Sequence, residues 1–65
     1  MPIINISLVE GRSPEQIRAM IQAVSDAAVK TLDAPLETIN IVVTEVAPSH
    51  WGAGKATVAE LQAGN

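Results

Sequence analysis

Two segments whose side chains alternate with a period of two bracket a stretch with a period of 3.6. They are IINISLV at residues 3–9 and TINIVVTEV at 38–46. Period two with β-branched residues marks a strand. In the first, Ile4, Ile6 and Leu8 share one face, and Ile3, Asn5, Ser7 and Val9 share the other. In the second, Ile39, Ile41 and Val43 oppose Asn40, Val42, Thr44 and Val46. Between them, apolar residues recur at 17, 20, 21, 24, 28 and 32, the buried stripe of an amphipathic helix. Ser13 is placed as its N-cap, Pro14 at its first position and Gln16 to close a capping box. Gly11 turns the chain out of the first strand. Lys30 suits the negative end of the helix dipole, and Pro35 stops the helix by disfavouring an α conformation at Ala34. Strand, crossover helix and strand make a βαβ unit with two parallel strands, so the predicted fold class is α/β. The rest, APSHWGAGKATVAELQAGN, is rich in Gly, Ala and Ser. Within it WGAGKATV suits a short C-terminal hairpin, and the end is expected to fray in isolation. No repeat or linker is visible, so residues 1–65 read as one domain.

Two strands and one helix do not make a stable sheet by themselves. Both strands carry apolar residues on both faces, as in a sheet covered from each side. The helix covers one face. The other is expected to meet a second copy of the chain, with residues 53–65 as a tail reaching that neighbour. Size points the same way: a 65-residue chain hides only about 60% of its unfolded surface. Disulfides, a structural metal or oligomerisation are the usual remedies. The chain has no cysteine and one histidine, His50, which removes disulfides, thiolate zinc sites and His-rich metal clusters. It is 48% hydrophobic with 17% charged residues, more apolar surface than a small monomer buries easily. Four Lys and Arg against a net charge of −3 leave no nucleic-acid footprint. No apolar run approaches the roughly 20 residues of a membrane span, and the first residues lack the basic-then-apolar pattern of a signal peptide. The expectation is a soluble, cytoplasmic homo-oligomer without nucleic-acid or membrane partners.

Candidate chemistry is sparse. Pro2 follows Met1, and removal of Met1 would leave it as a free secondary amine. A free α-amino group titrates near 7.7–8.0 in peptides, and a low-dielectric pocket or nearby cations depress such a group. A base poised near the working pH is what proton abstraction beside a carbonyl requires. Alone, however, a Met-Pro start is an ordinary way to begin a strand. Arg12, in the EGRS turn, either clamps a carboxylate bidentately or stands as a solubilising charge. Arg18 reads as a surface residue and Glu45 as a possible arginine partner. His50 and Trp51 lie in a Gly-flanked loop, where the histidine reads as structural and the tryptophan as a pocket wall or an interface residue. Neither EGRS nor WGAGK matches a nucleotide-binding glycine motif.

Taken together, MPIINISLVEGRSPEQ, LDAPLETINIVVTEV and HWGAGK resemble the 4-oxalocrotonate tautomerase family over nearly the whole chain, in order and spacing. The resemblance implies a hexamer, a trimer of dimers, in which strands of paired subunits form a four-stranded sheet. It implies that Pro2, freed of Met1, is the general base that moves a proton between carbon positions of a dienol or 2-keto acid. Arg12 matches the arginine that holds the distal carboxylate, usually reaching in from a neighbouring subunit. Trp51 falls where the family usually has phenylalanine, an apolar wall that keeps the proline amine's pKa low. Val9 is included among the substrate-binding residues. No cofactor or metal is implied, and the family context is degradation of aromatic compounds.

Asn40 departs from the pattern. Family members acting on 2-hydroxymuconate carry there a second arginine, which binds the 1-carboxylate and stabilises developing enolate charge. An amide is a weaker oxyanion stabiliser, and removing one such donor costs ~10²–10³ in rate. The expected activity is therefore tautomerisation of a small anionic enol or 2-keto acid, with weak turnover of 2-hydroxymuconate. The alternatives are a Pro2-dependent hydratase or dehalogenase of an unsaturated acid, one subunit of a heterohexamer whose partner supplies the arginine, and a non-catalytic oligomeric module.

Overall fold

A computed structural model describes residues 1–64 of the chain; Asn65, the last residue of the expected tail, lies outside the described residues. Strand β1 (Ile3–Val9) and strand β2 (Asn40–Val46) pair in parallel over their full length, Ile3 opposite Asn40 and Val9 opposite Val46. Helix α1 (Pro14–Leu32) makes the crossover. Its start is the capping box expected from the sequence. Ser13 Oγ accepts from the Gln16 N–H at 3.1 Å, and Gln16 Oε1 accepts from the Ser13 N–H at 2.9 Å. Donors that the first turn leaves without helical partners are thereby satisfied. Asp33 ends the helix in the left-handed region, with φ at 53°.

The alternation in the strands sorts as expected. Ile4, Ile6, Leu8, Ile41 and Val43 are half-buried on the face that α1 covers. On the opposite face Ile3 is 66% exposed and Val42 50% exposed. The helix stripe is half-buried at Ile17, Met20, Ile21 and Val24, while Leu32 at its end stays exposed. Ala28 alone among the described residues is buried, at 7% exposure. A single chain therefore has almost no core. Its radius of gyration is 15.0 Å, against about 11 Å for a compact chain of this length. Its accessible surface is 4850 Å², roughly 900 Å² above the value expected for a folded monomer of this mass. That excess is close to the ~800 Å² that each partner gives up in a standard protein interface.

Two expectations need correction. Strand β2 begins at Asn40, not at residue 38, because Leu36–Thr38 form a 3₁₀ turn. Its bonds run from the Thr38 N–H to Pro35 O (3.0 Å) and from the Ile39 N–H to Leu36 O (3.1 Å). Pairing with β1 can start only beyond them. The hairpin is present, with β3 (Gly52–Ala53) antiparallel to β4 (Ala56–Thr57) and Gly54 at a φ of 67° between them. The segment beyond the hairpin does not fray, however: helix α2 (Val58–Gly64) closes the described chain. It starts with a second reciprocal cap. Glu60 Oε1 accepts from the Thr57 N–H at 2.9 Å, and Thr57 Oγ1 accepts from the Glu60 N–H at 3.1 Å.

Candidate active site

Parallel pairing brings the starts of β1 and β2 to the same end of the sheet. Pro2 precedes β1, and its carbonyl accepts from the Asn40 N–H at 3.1 Å. Pro2 is half-buried and Asn40 exposed. The Asn40 side chain is tethered, since Nδ2 donates to Thr38 O at 3.2 Å. Thr38 is itself held by the turn, through its hydroxyl donating to Pro35 O at 2.7 Å.

The far end of the sheet carries a different set. The Glu10 N–H donates to Val46 O at 2.9 Å, prolonging the ladder by one bond. Gly11 then turns the chain with a φ of 138°, a value that a side chain would strain. Arg12 comes next, and its Nη1 donates back to Val9 O at 3.3 Å, which holds the guanidinium at the end of β1. The chain leaves β2 at this same end and reaches half-buried Trp51 through a 3₁₀ turn, Pro48–His50. Trp51 is fixed by its carbonyl, which accepts from the Val58 N–H at 2.8 Å. Beside it, Ser49 Oγ and His50 Nδ1 are hydrogen-bonded at 2.9 Å.

Of the five residues singled out, the fold thus joins Pro2 with Asn40 and Val9 with Arg12, but not the two pairs with each other. Seven strand residues separate them, about 20 Å at the usual rise per residue. An arginine tied to Val9 cannot reach its own chain's Pro2. Thr38 is the residue sequence reasoning missed, and no motif points to it, because its carbonyl is presented only by the 3₁₀ turn. Among the described residues, no three His, Cys, Asp or Glu side chains gather into a possible metal site. None of the described helices is long and apolar enough to cross a membrane.

The profile of the Tautomerase enzyme family matches residues 2–60, beginning at Pro2 itself. The chain belongs to the tautomerase family. A 2-hydroxymuconate tautomerase from Pseudomonas putida is 46% identical over 54 residues, which span 83% of this tautomerase and 86% of the relative. Among solved structures, the 4-oxalocrotonate tautomerase isozymes from Methylibium petroleiphilum superpose with a TM-score of 0.95 at 36% identity, covering 98% of this chain and 100% of theirs. A heterohexamer 4-oxalocrotonate tautomerase from Chloroflexus aurantiacus superposes at 0.89 with 39% identity, covering 94% and 98%. The likeness therefore extends through the whole βαβ unit and hairpin of this tautomerase, as the resemblance in its sequence implies.

Proposed function

We propose that this tautomerase isomerises a small enol or 2-keto acid with Pro2 as its general base, once Met1 has been removed. Neutral Pro2 takes the proton of the enol hydroxyl, or of the carbon beside the keto group, and becomes a prolinium, leaving an enolate or dienolate. The prolinium then returns a proton to another carbon, and the amine is restored. No net electron or atom is exchanged, so one tuned amine and a cation for the substrate's carboxylate suffice. Arg12 is that cation, with Val9 and Trp51 shaping the apolar part of the pocket.

The separation of Pro2 from Arg12 along β1 is the observation that carries this reading into an assembly. Neither group can complete a site within its own chain, so the acting form is an oligomer in which one subunit offers Pro2 and another Arg12. An antiparallel two-fold pairing of copies sets the start of one sheet beside the end of the other. A hexamer fits this need and the excess surface of the single chain, and the Chloroflexus relative is named as a heterohexamer. With Asn40 in place of an arginine, turnover of 2-hydroxymuconate is expected to be slow.

The test joins intact mass with kinetics. Purified protein should lack Met1, and Pro2→Ala should lose turnover of phenylenolpyruvate by at least ~10², the lower range for a general base. Retained Met1 in an active enzyme would end the proposal. A native mass near six chains supports the homohexamer; activity appearing only when a second type of subunit is added would favour a heterohexamer.

A further inference from the structure

We propose that the Asn40 carboxamide makes this site selective for substrates with a single carboxylate, by pairing with the uncharged enol or carbonyl oxygen while Arg12 takes the carboxylate. The inference rests on the tautomerase reading above and adds its substrate class.

Three observations lead to it. First, Asn40 is fixed at the Pro2 end twice, by its N–H on Pro2 O and by Nδ2 on Thr38 O. Second, the tether decides what the amide offers. One Nδ2 hydrogen is spent on Thr38, and among the described residues no donor reaches Oδ1. One acceptor and one donor remain free. An enol hydroxyl needs an acceptor, and the keto oxygen it becomes needs a donor. A carboxamide supplies both, whereas a guanidinium or ammonium supplies donors alone.

Third, the surrounding charge disfavours a second carboxylate. The segment that leads into Asn40, residues 33–39, holds Asp33 and Glu37 and no cation. Of the chain's four cations, Arg12 is bonded at the far end of β1, Arg18 lies in the first half of α1 and Lys55 in the hairpin. Lys30, in the last turn of α1, lines an outward groove with Ala23, Asp26 and Ala27, on the helix side away from the strands. With the neighbouring subunit's Arg12 engaged by the first carboxylate, a dianion would thus place its second against a neutral amide, beside a segment whose own charges are negative.

The experiment compares kcat/KM for phenylenolpyruvate, with one carboxylate, and 2-hydroxymuconate, with two. It is run on wild type, Asn40→Leu, Asn40→Arg and Pro2→Ala, each first checked for assembly by native mass. Wild type should prefer the monoacid about tenfold or more, and Asn40→Leu should lower monoacid turnover by about tenfold, the scale of one lost hydrogen bond. Asn40→Arg should swing the ratio toward the diacid by ~10² through a charge-assisted pair, and it carries the test alone if the leucine variant fails to assemble. A wild type that prefers the diacid, or a ratio unmoved by Asn40→Arg, overturns the assignment and leaves the tautomerase reading intact. Turnover that survives Pro2→Ala, or none on either enol, overturns the tautomerase reading and this inference with it.

Discussion

Pro2 and Arg12 flank β1, one before its first residue and one beyond its last, with the guanidinium tied back to Val9 O at 3.3 Å. Two inactive variants should therefore rescue each other. Pro2→Ala and Arg12→Ala, each nearly dead alone, should regain activity when unfolded together and reassembled. Random mixing of chains leaves about a quarter of sites with both wild-type groups when these come from different subunits. A mixture as inactive as its parents would show that one chain supplies both.

The uncovered face of the sheet is open to a sharper probe. Val42 stands half-exposed beside Asn5, on the side that α1 leaves bare. Val42→Lys should place a charge where another copy is expected, at a penalty of a few kcal/mol for an unpaired buried ion. Native mass should shift toward single chains, with a parallel loss of ellipticity, because among the described residues the lone chain buries only Ala28. A folded, fully assembled Val42→Lys protein would place the interface elsewhere.

Trp51 is the one tryptophan, and the chain has no tyrosine or phenylalanine, so its emission reports a single place. Binding of a non-reacting 2-keto acid should quench or shift that emission, with a midpoint that matches inhibition of turnover. Arg12→Ala should weaken the midpoint by ~10–100-fold, the range for a lost hydrogen bond to a charged group. Emission indifferent to ligand would remove Trp51 from the pocket.

The cap of α2 carries a pH dependence. The Thr57 N–H, and secondarily its hydroxyl, hold the Glu60 carboxyl below its ordinary value. A depressed folded pKa means stability that is present above the unfolded value and lost as pH falls through the folded one. The protection of the amides in residues 58–64, measured against their intrinsic exchange rates at each pH, should fall as the pH drops below the usual carboxylate range. Glu60→Gln, which keeps an acceptor but has no charge to titrate, should flatten that response. Equal acid sensitivity in both proteins would assign it to another group.

The parts legible in the sequence are those held by periodicity and local caps. Alternation in 3–9 and the Ser13–Pro14–Gln16 start determine β1 and α1 almost to the residue. Periodicity misplaces the start of β2 because alternation continues through Thr38 and Ile39, where the backbone is already committed to the 3₁₀ turn. Helix α2 is announced by TVAE, a Thr and a Glu at capping-box spacing, but the small residues around it conceal an amphipathic pattern. The nearness of Asn40 to Pro2 comes from parallel pairing alone. The tether of its amide to Thr38 does not, because it depends on a carbonyl that the turn exposes.

The scarcity of buried side chains has a consequence beyond the site. With a single buried residue among those described, the oligomer proposed for this chain holds most of its folding free energy in contacts between subunits, so mass action governs it. Its melting temperature should climb with the logarithm of concentration, and dilution should extinguish catalysis and structure together. Such a protein has an abundance threshold written into its geometry: below it, a cell would hold chains but no enzyme.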